Sequence, residues 1–299
     1  PTLSNLFIHS NQAAAGGGVY LYNASPTLID MGIDNNFAEL DGGGIYCVSS
    51  NPDLQGLSIT TNEASVGGGI SIFESAPSMW NVSILENFAY LGAGIYYDSP
   101  SNDPHWETVN INQNEAEEGG GGMHLSINSG QTLTLSNASV SNNISENSLG
   151  GGMHLEGWGK LYLNTVNMAS NTAGLGGAIY AQYTDLYIDS SQFIDNSAIT
   201  GFAGAIYQNN GTFIANESVF HGNLSNGSDG GALFLNAVQD GSGTGSFIKN
   251  CRIEQNSANG GGGARISGDI ALINTIITHN IIENGSGSAI YYKRQDVQF

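Results

Sequence analysis

The side chains able to do chemistry in this chain are few and unevenly spread. Its 299 residues include 26 Asp and Glu, 6 Lys and Arg, 6 His and 2 Cys, for a net charge of −20. His124 and His154 occupy equivalent positions in successive sequence repeats. Two neighbouring imidazoles could share a metal, but no cysteine or carboxylate converges with them in the sequence. The expectation is therefore a stacked histidine pair with no metal. Asp41, Glu117, Glu118 and Asp229 each precede a glycine cluster and could lend oxygen ligands to Ca²⁺. The nonapeptide Ca²⁺ signature is missing, so a solvated acidic face is the plainer expectation, with Ca²⁺ as the only conceivable cofactor. Six cations cannot neutralise a nucleic-acid backbone, and an anionic lipid surface would repel the chain. No apolar run approaches the roughly 18 residues of a membrane helix. Neither nucleic acid nor direct membrane insertion is expected.

These residues are set out by a repeat. An apolar residue, two variable residues and an asparagine recur eleven times, ending at Asn11, Asn36, Asn62, Asn87, Asn114, Asn143, Asn171, Asn196, Asn223, Asn256 and Asn280. A Gly/Ala cluster and a second apolar residue follow each, from Val19 and Ile45 to Ile290, at a mean spacing of about 27 residues. Leucine-rich repeats are of similar length, but their leucine frame is missing. Helical repeats are longer and do not tolerate glycine triplets. Short segments of period two, such as Leu161-Tyr162-Leu163, mark strands, and Gly, Asn, Ser and Asp supply the turns between them. The expected fold is all-β: a parallel β-helix of about eleven coils forming a single domain over residues 1–299. At about 4.8 Å per coil it would be a rod of roughly 53 Å. Stacked asparagines can bond their amides to the coils above and below, and they tolerate a left-handed backbone.

Phe193-x-x-Asn196 and Phe220-x-x-Asn223, with Gly-Gly-Ala-Ile (176–179) and Gly-Gly-Ala-Leu (230–233), resemble the repeat of chlamydial polymorphic outer-membrane proteins and related surface proteins. The resemblance covers nearly the whole chain. It implies a right-handed β-helix of the pectin-lyase-like kind, secreted or displayed at a cell surface and often adhesive. Most copies here replace the Phe with Ile, Val or Met, and Gly-Gly-Gly often replaces Gly-Gly-Ala; the membrane barrel of that family is not among these residues.

Strand alternation then defines a candidate binding surface. If Val19, Ile45 and their equivalents point inward, the next residues point outward: Tyr20, Tyr46, Ser71, Tyr96, His124, His154, Tyr180, Tyr207, Phe234, Arg265 and Tyr291. An exposed aromatic stripe of this kind suits protein partners or sugar rings. Nine Asn-x-Ser/Thr sequons, at Asn23, Asn81, Asn137, Asn143, Asn210, Asn216, Asn223, Asn226 and Asn284, could carry glycans in a secreted protein. Cys47 and Cys251, about eight coils apart, are expected to be buried thiols.

The function expected from this pattern, taken with what the resemblance implies, is a non-catalytic extracellular structural or adhesive surface rod. A polysaccharide hydrolase needs paired carboxylates, and a uronate lyase needs a base and cations to neutralise its substrate. The scarce cations do not cluster with carboxylates at one coil position, and the repeats lack a long insertion. A glycan-binding β-helix or a polysaccharide-degrading enzyme is the alternative. Pro1-Thr2-Leu3 matches Pro26-Thr27-Leu28, so the chain begins in repeat register, as a fragment or mature segment of a larger repeat protein would. Uncapped coils could also stack head to tail into a filament. Self-association and surface proteins or glycans are the expected partners.

Overall fold

A computed structural model describes residues 1–98, 102–238 and 245–293. Every regular element among them is a β-strand, and every strand pairing is parallel. Each coil has four segments, here lettered a to d. In the first coil they are Thr2–Ser4, Phe7–His9, Gln12–Ala13 and Val19–Tyr22. The a and b segments run together as the continuous strands Ser78–Leu85 and His105–Asn112 in the fourth and fifth coils, so they belong to one sheet. The c and d segments form two further sheets of eleven strands each. The chain is thus an eleven-coil parallel β-helix, as its repeat predicts. Equivalent residues lie opposite one another from coil to coil, for example Val19, Ile45, Ile70 and Ile95.

The core runs down the axis as columns of like side chains. The b column is Ile33, Ile59, Ile84 and Ile111, then Val140, Met168, Phe193, Phe220 and Ile253, all fully buried. The c segments contribute small residues, among them Ala38, Ala64, Ala89, Ala116, Ala173 and Ala198. This lets the c sheet approach the others closely. Trp106 is the largest fully buried side chain. It packs edge-on against Tyr97, with ring centroids 5.5 Å apart, and donates its indole N–H to the Pro77 carbonyl at 3.0 Å.

Three corners turn the chain, and their backbone chemistry differs in one respect from the sequence expectation. The left-handed residue at the b–c corner is the one before each ladder asparagine, such as Ser10, Asn35, Thr61 and Glu86 at φ 50–57°. The asparagine itself is free to point its side chain inward. Before most d segments the first glycine of the cluster is left-handed, as at Gly42 (φ 64°), although in the eighth coil Ala203 (φ 63°) takes that conformation. The second is held by contact: a Cβ on Gly43 would lie 2.5 Å from the carbonyl oxygens of Glu63 and Gly68. Two different requirements therefore explain one glycine run.

The asparagine ladder is continuous. Nine of its eleven members are 0–1% exposed. Each interior Oδ1 accepts both the backbone N–H and the Nδ2–H of the preceding asparagine. Each Nδ2 donates onward to the next Oδ1 and back to a carbonyl of the preceding coil, as Asn36 does to Asn62 (3.0 Å) and Ile8 (3.0 Å). A buried corner is thereby satisfied without water.

The same burial corrects two of the nine sequons. Asn143 and Asn223 are fully buried, and their amide nitrogens donate within the ladder, so neither can carry a glycan in the folded rod. Asn23, Asn81, Asn137, Asn226 and Asn284 are exposed, and Asn210 and Asn216 are half-buried. Expression in a glycosylating host should give folded protein modified only among these seven. A glycopeptide from Asn143 or Asn223 in the folded fraction would contradict the ladder. Cys47 and Cys251 are buried free thiols. Burial pushes Cys47 up to about 12, leaving it unreactive at neutral pH.

Candidate functional site

The outer face of the d sheet carries the expected column, and strand alternation places its side chains as predicted. Leu21, Cys47, Ile72, Tyr97, Leu125 and Leu155 point into the core, while the residues before them point outward. The column is not the freely exposed stripe expected from the sequence. Tyr20 is exposed; Tyr46, Tyr96, His154, Tyr180, Tyr207, Arg265 and Tyr291 are half-buried; Ser71, His124 and Phe234 are buried. The rings lie one coil apart and stack along the rod. Tyr20 and Tyr46 have centroids 5.4 Å apart, Tyr180 and Tyr207 4.9 Å, and Tyr207 and Phe234 5.0 Å, with interplanar angles of 2–19°. Phe202, from the turn before the d segment, packs on Phe234 at 4.4 Å. Within these stacks, ring faces are spent on one another.

A second outward column runs beside the first, two residues further along each strand. In the middle of the rod it is polar: Asp98, Ser126, Glu156, Gln182, Asn209 and Asn236. Here the structure brings in a residue that the sequence analysis did not connect with the histidines. Glu156 Oε1 lies 3.3 Å from His124 Nε2 and accepts the Ser126 hydroxyl at 3.0 Å. The signal was present, because Glu156 is two residues from His154 and so shares its face.

The two imidazoles meet edge to face at 4.6 Å, and Nδ1 of each is buried with no hydrogen-bond partner. The hydrogen bond to His124 is the main reason the Glu156 carboxyl is held down at about 2, with the His124 charge, Ser126 and His154 assisting against desolvation. Burial, aided by repulsion from His124, holds His154 down to about 4, although Glu156 pulls the other way. Burial and the nearby carboxylates push Tyr96 up to about 12.

The His154 shift has a thermodynamic consequence. Its folded-state pKa lies below the ordinary histidine value of 6.5, so the unfolded chain takes up this proton first as pH falls. The contribution to stability is complete above pH 6.5 and is lost progressively down to about pH 4. Urea unfolding of His154→Phe should show a shallower loss of stability between pH 6.5 and 4 than the parent chain. Equal slopes would contradict the assignment.

The acidic residues considered for Ca²⁺ do not form one site. Asp41 accepts the Ser71 hydroxyl at 3.3 Å, and Asp229 lies 3.4 Å from the Arg265 guanidinium, seven coils away. Among the described residues, no three His, Cys, Asp or Glu side chains converge on a point where a metal could sit. A further aromatic pair lies at the d–a corner, where Trp158, 64% exposed, stacks on Tyr183 at 4.6 Å.

Parallel pairing throughout, axial columns and the asparagine ladder define this protein as a parallel β-helix solenoid. A family model described as "Right handed beta helix region" matches residues 1–172, more than half of the chain, and the chain belongs to that family. Comparison with curated proteins and with solved structures gave no match.

Proposed function

We propose that this β-helix is a non-catalytic extracellular surface element, structural and adhesive, that binds a partner along the outer face of its d sheet. The observation that supports this most is the pair of parallel columns on that face: half-buried stacked rings in one, hydrogen-bonding side chains from Asp98 to Asn236 in the other. Stacking holds the rings rigid before binding, so their edges can be covered with little further loss of side-chain entropy. Adhesive proteins act outside the cell, and the resemblance to surface-displayed repeats agrees with that location.

Glycan binding is the second reading, and Trp158 favours it. Sugar rings bind aromatic faces rather than edges, and Trp158, two residues past Glu156 at the d–a corner, is the most exposed ring on this side of the rod among the described residues. The test is adhesion of rod-coated beads to panels of extracellular proteins and immobilised glycans. Tyr180→Ser with Tyr207→Ser should reduce capture on proteins at least several-fold while leaving the unfolding transition cooperative. Undiminished capture by the double variant would overturn the adhesive assignment. Capture on glycans that is lost only in Trp158→Ala would replace it with the second reading.

A further inference from the structure

The ring column is interrupted at Ser71 and again at Arg265, and the two interruptions share one architecture. In the ninth to eleventh coils the Arg265 guanidinium lies 4.5 Å from the Phe234 ring centroid and 5.7 Å from that of Tyr291. Its charge is met by Asp229, 3.4 Å away, which immediately precedes Gly230. In the second to fourth coils Tyr46 takes the place of Phe234 and Tyr96 that of Tyr291. Asp41, immediately preceding Gly42, takes the place of Asp229. Both aspartates also make an isolated bridge to the next coil, Asp41 to Val66 and Asp229 to Gly260. The central residue differs: where the tenth coil carries a guanidinium, the third carries the hydroxyl of Ser71, bonded to Asp41. One flank differs too, because Phe202, 5.8 Å from the Arg265 guanidinium, has Ala15 at its equivalent position.

The remaining surfaces fit a guanidinium. Tyr46 uses one face on Tyr20, and Tyr96 uses one on His124 at 5.2 Å. Their other faces look towards the third coil from either side, about 10 Å apart by two coil spacings. That interval takes one planar group, as the equivalent interval takes Arg265. Asp41 sits at its base, half-buried, with desolvation raising its pKa; an arriving cation would relieve that cost. Ser71, at the floor of this interval, is 1% exposed, so the side chains around it must move apart to admit a group.

We propose that Tyr46, Tyr96 and Asp41 form a docking site for an arginine side chain of a partner protein, in the manner of the chain's own Arg265. Cation–π contact on two faces and a carboxylate at the base select a planar cation, and a chain of net charge −20 attracts basic partners. This site does not depend on the adhesive role of the longer face.

The probe is N-acetyl-L-arginine amide, titrated into the full chain while the ring signals of Tyr46 and Tyr96 are followed by NMR. A saturable shift of both is expected, at least fivefold weaker in affinity for Asp41→Asn and for N-acetyl-L-lysine amide. It should be abolished by Ser71→Arg, which supplies the guanidinium from within. Should that variant fold poorly, Ser71→Phe completes the ring column and blocks the site in the same way. An unsaturable response, or one undiminished in either Ser71 variant, would overturn the proposal. A dimer in sedimentation that Ser71→Phe dissociates would also overturn it, because the arginine would then come from a second copy.

Discussion

Asn171→Ala should destabilise the rod by on the order of 4 kcal/mol, at the upper end of what single substitutions do. Asn171 Oδ1 accepts the backbone N–H and the Nδ2–H of Asn143, and its Nδ2 donates to Val140 and Asn196, all at 2.9–3.1 Å. Truncation leaves two donors of Asn143 buried without that acceptor, at roughly 1–3 kcal/mol each, and adds a cavity. Asn171→Asp should be at least as damaging, since it keeps the acceptor but buries a charge that cannot donate. Asn11→Ala is the control: it lies exposed at the end of the ladder and should cost under about 1 kcal/mol. Because coils contact only their neighbours, hydrogen exchange should show the lost protection centred on the sixth to eighth coils. Equal urea midpoints for Asn171→Ala and Asn11→Ala would refute the structural role of the ladder.

Trp106→Ala should cost about 3–5 kcal/mol, the range for removing a large buried aromatic. The side chain is fully buried and edge-packed on Tyr97, and its loss also deprives the Pro77 carbonyl of the indole N–H. Trp106→Phe separates the two contributions, because it keeps most of the volume and loses the hydrogen bond. It should recover more than half of the stability. If the two variants unfold at the same urea concentration, the hydrogen bond rather than the packing dominates at this coil.

The repeat made the fold legible because a solenoid translates sequence period directly into spatial stacking. Ile-x-x-Asn recurs with one register, so the b column and the ladder could be listed by number before any coordinates. What the repeat did not show was which corner residue bears the unusual backbone. Asparagine tolerates the left-handed region, and so it was the natural choice, yet that region belongs to Ser10, Asn35 and their equivalents. The ladder side chains must point inward, and only the preceding residue can turn the chain to let them. The sequons at Asn143 and Asn223 fail for the same reason: a sequon records local spelling, while availability depends on which way the coil turns.

The candidate site was legible in outline only. Alternation placed Tyr20 to Tyr291 outward, because a strand leaves two faces and the glycine–apolar pairs mark the inner one. It could not say that the rings would lie on one another, since stacking depends on coil spacing and on rotamers shared between neighbours. It also paired His124 with His154 without noticing Glu156, whose contact runs diagonally between coils. The equivalence of Asp41 with Asp229 became meaningful only when both were seen reaching the residue of the following coil.

The sequence by itself determined the period, the parallel coil, the columns and the acidic charge, because each follows from what recurs at fixed spacing. The tertiary structure alone decided which polar atoms are satisfied, which ring faces remain open and which carboxylate meets which cation. Those are properties of distances between coils, and residues 25 to 36 positions apart in the chain come within about 3 Å of one another only once the coils have stacked.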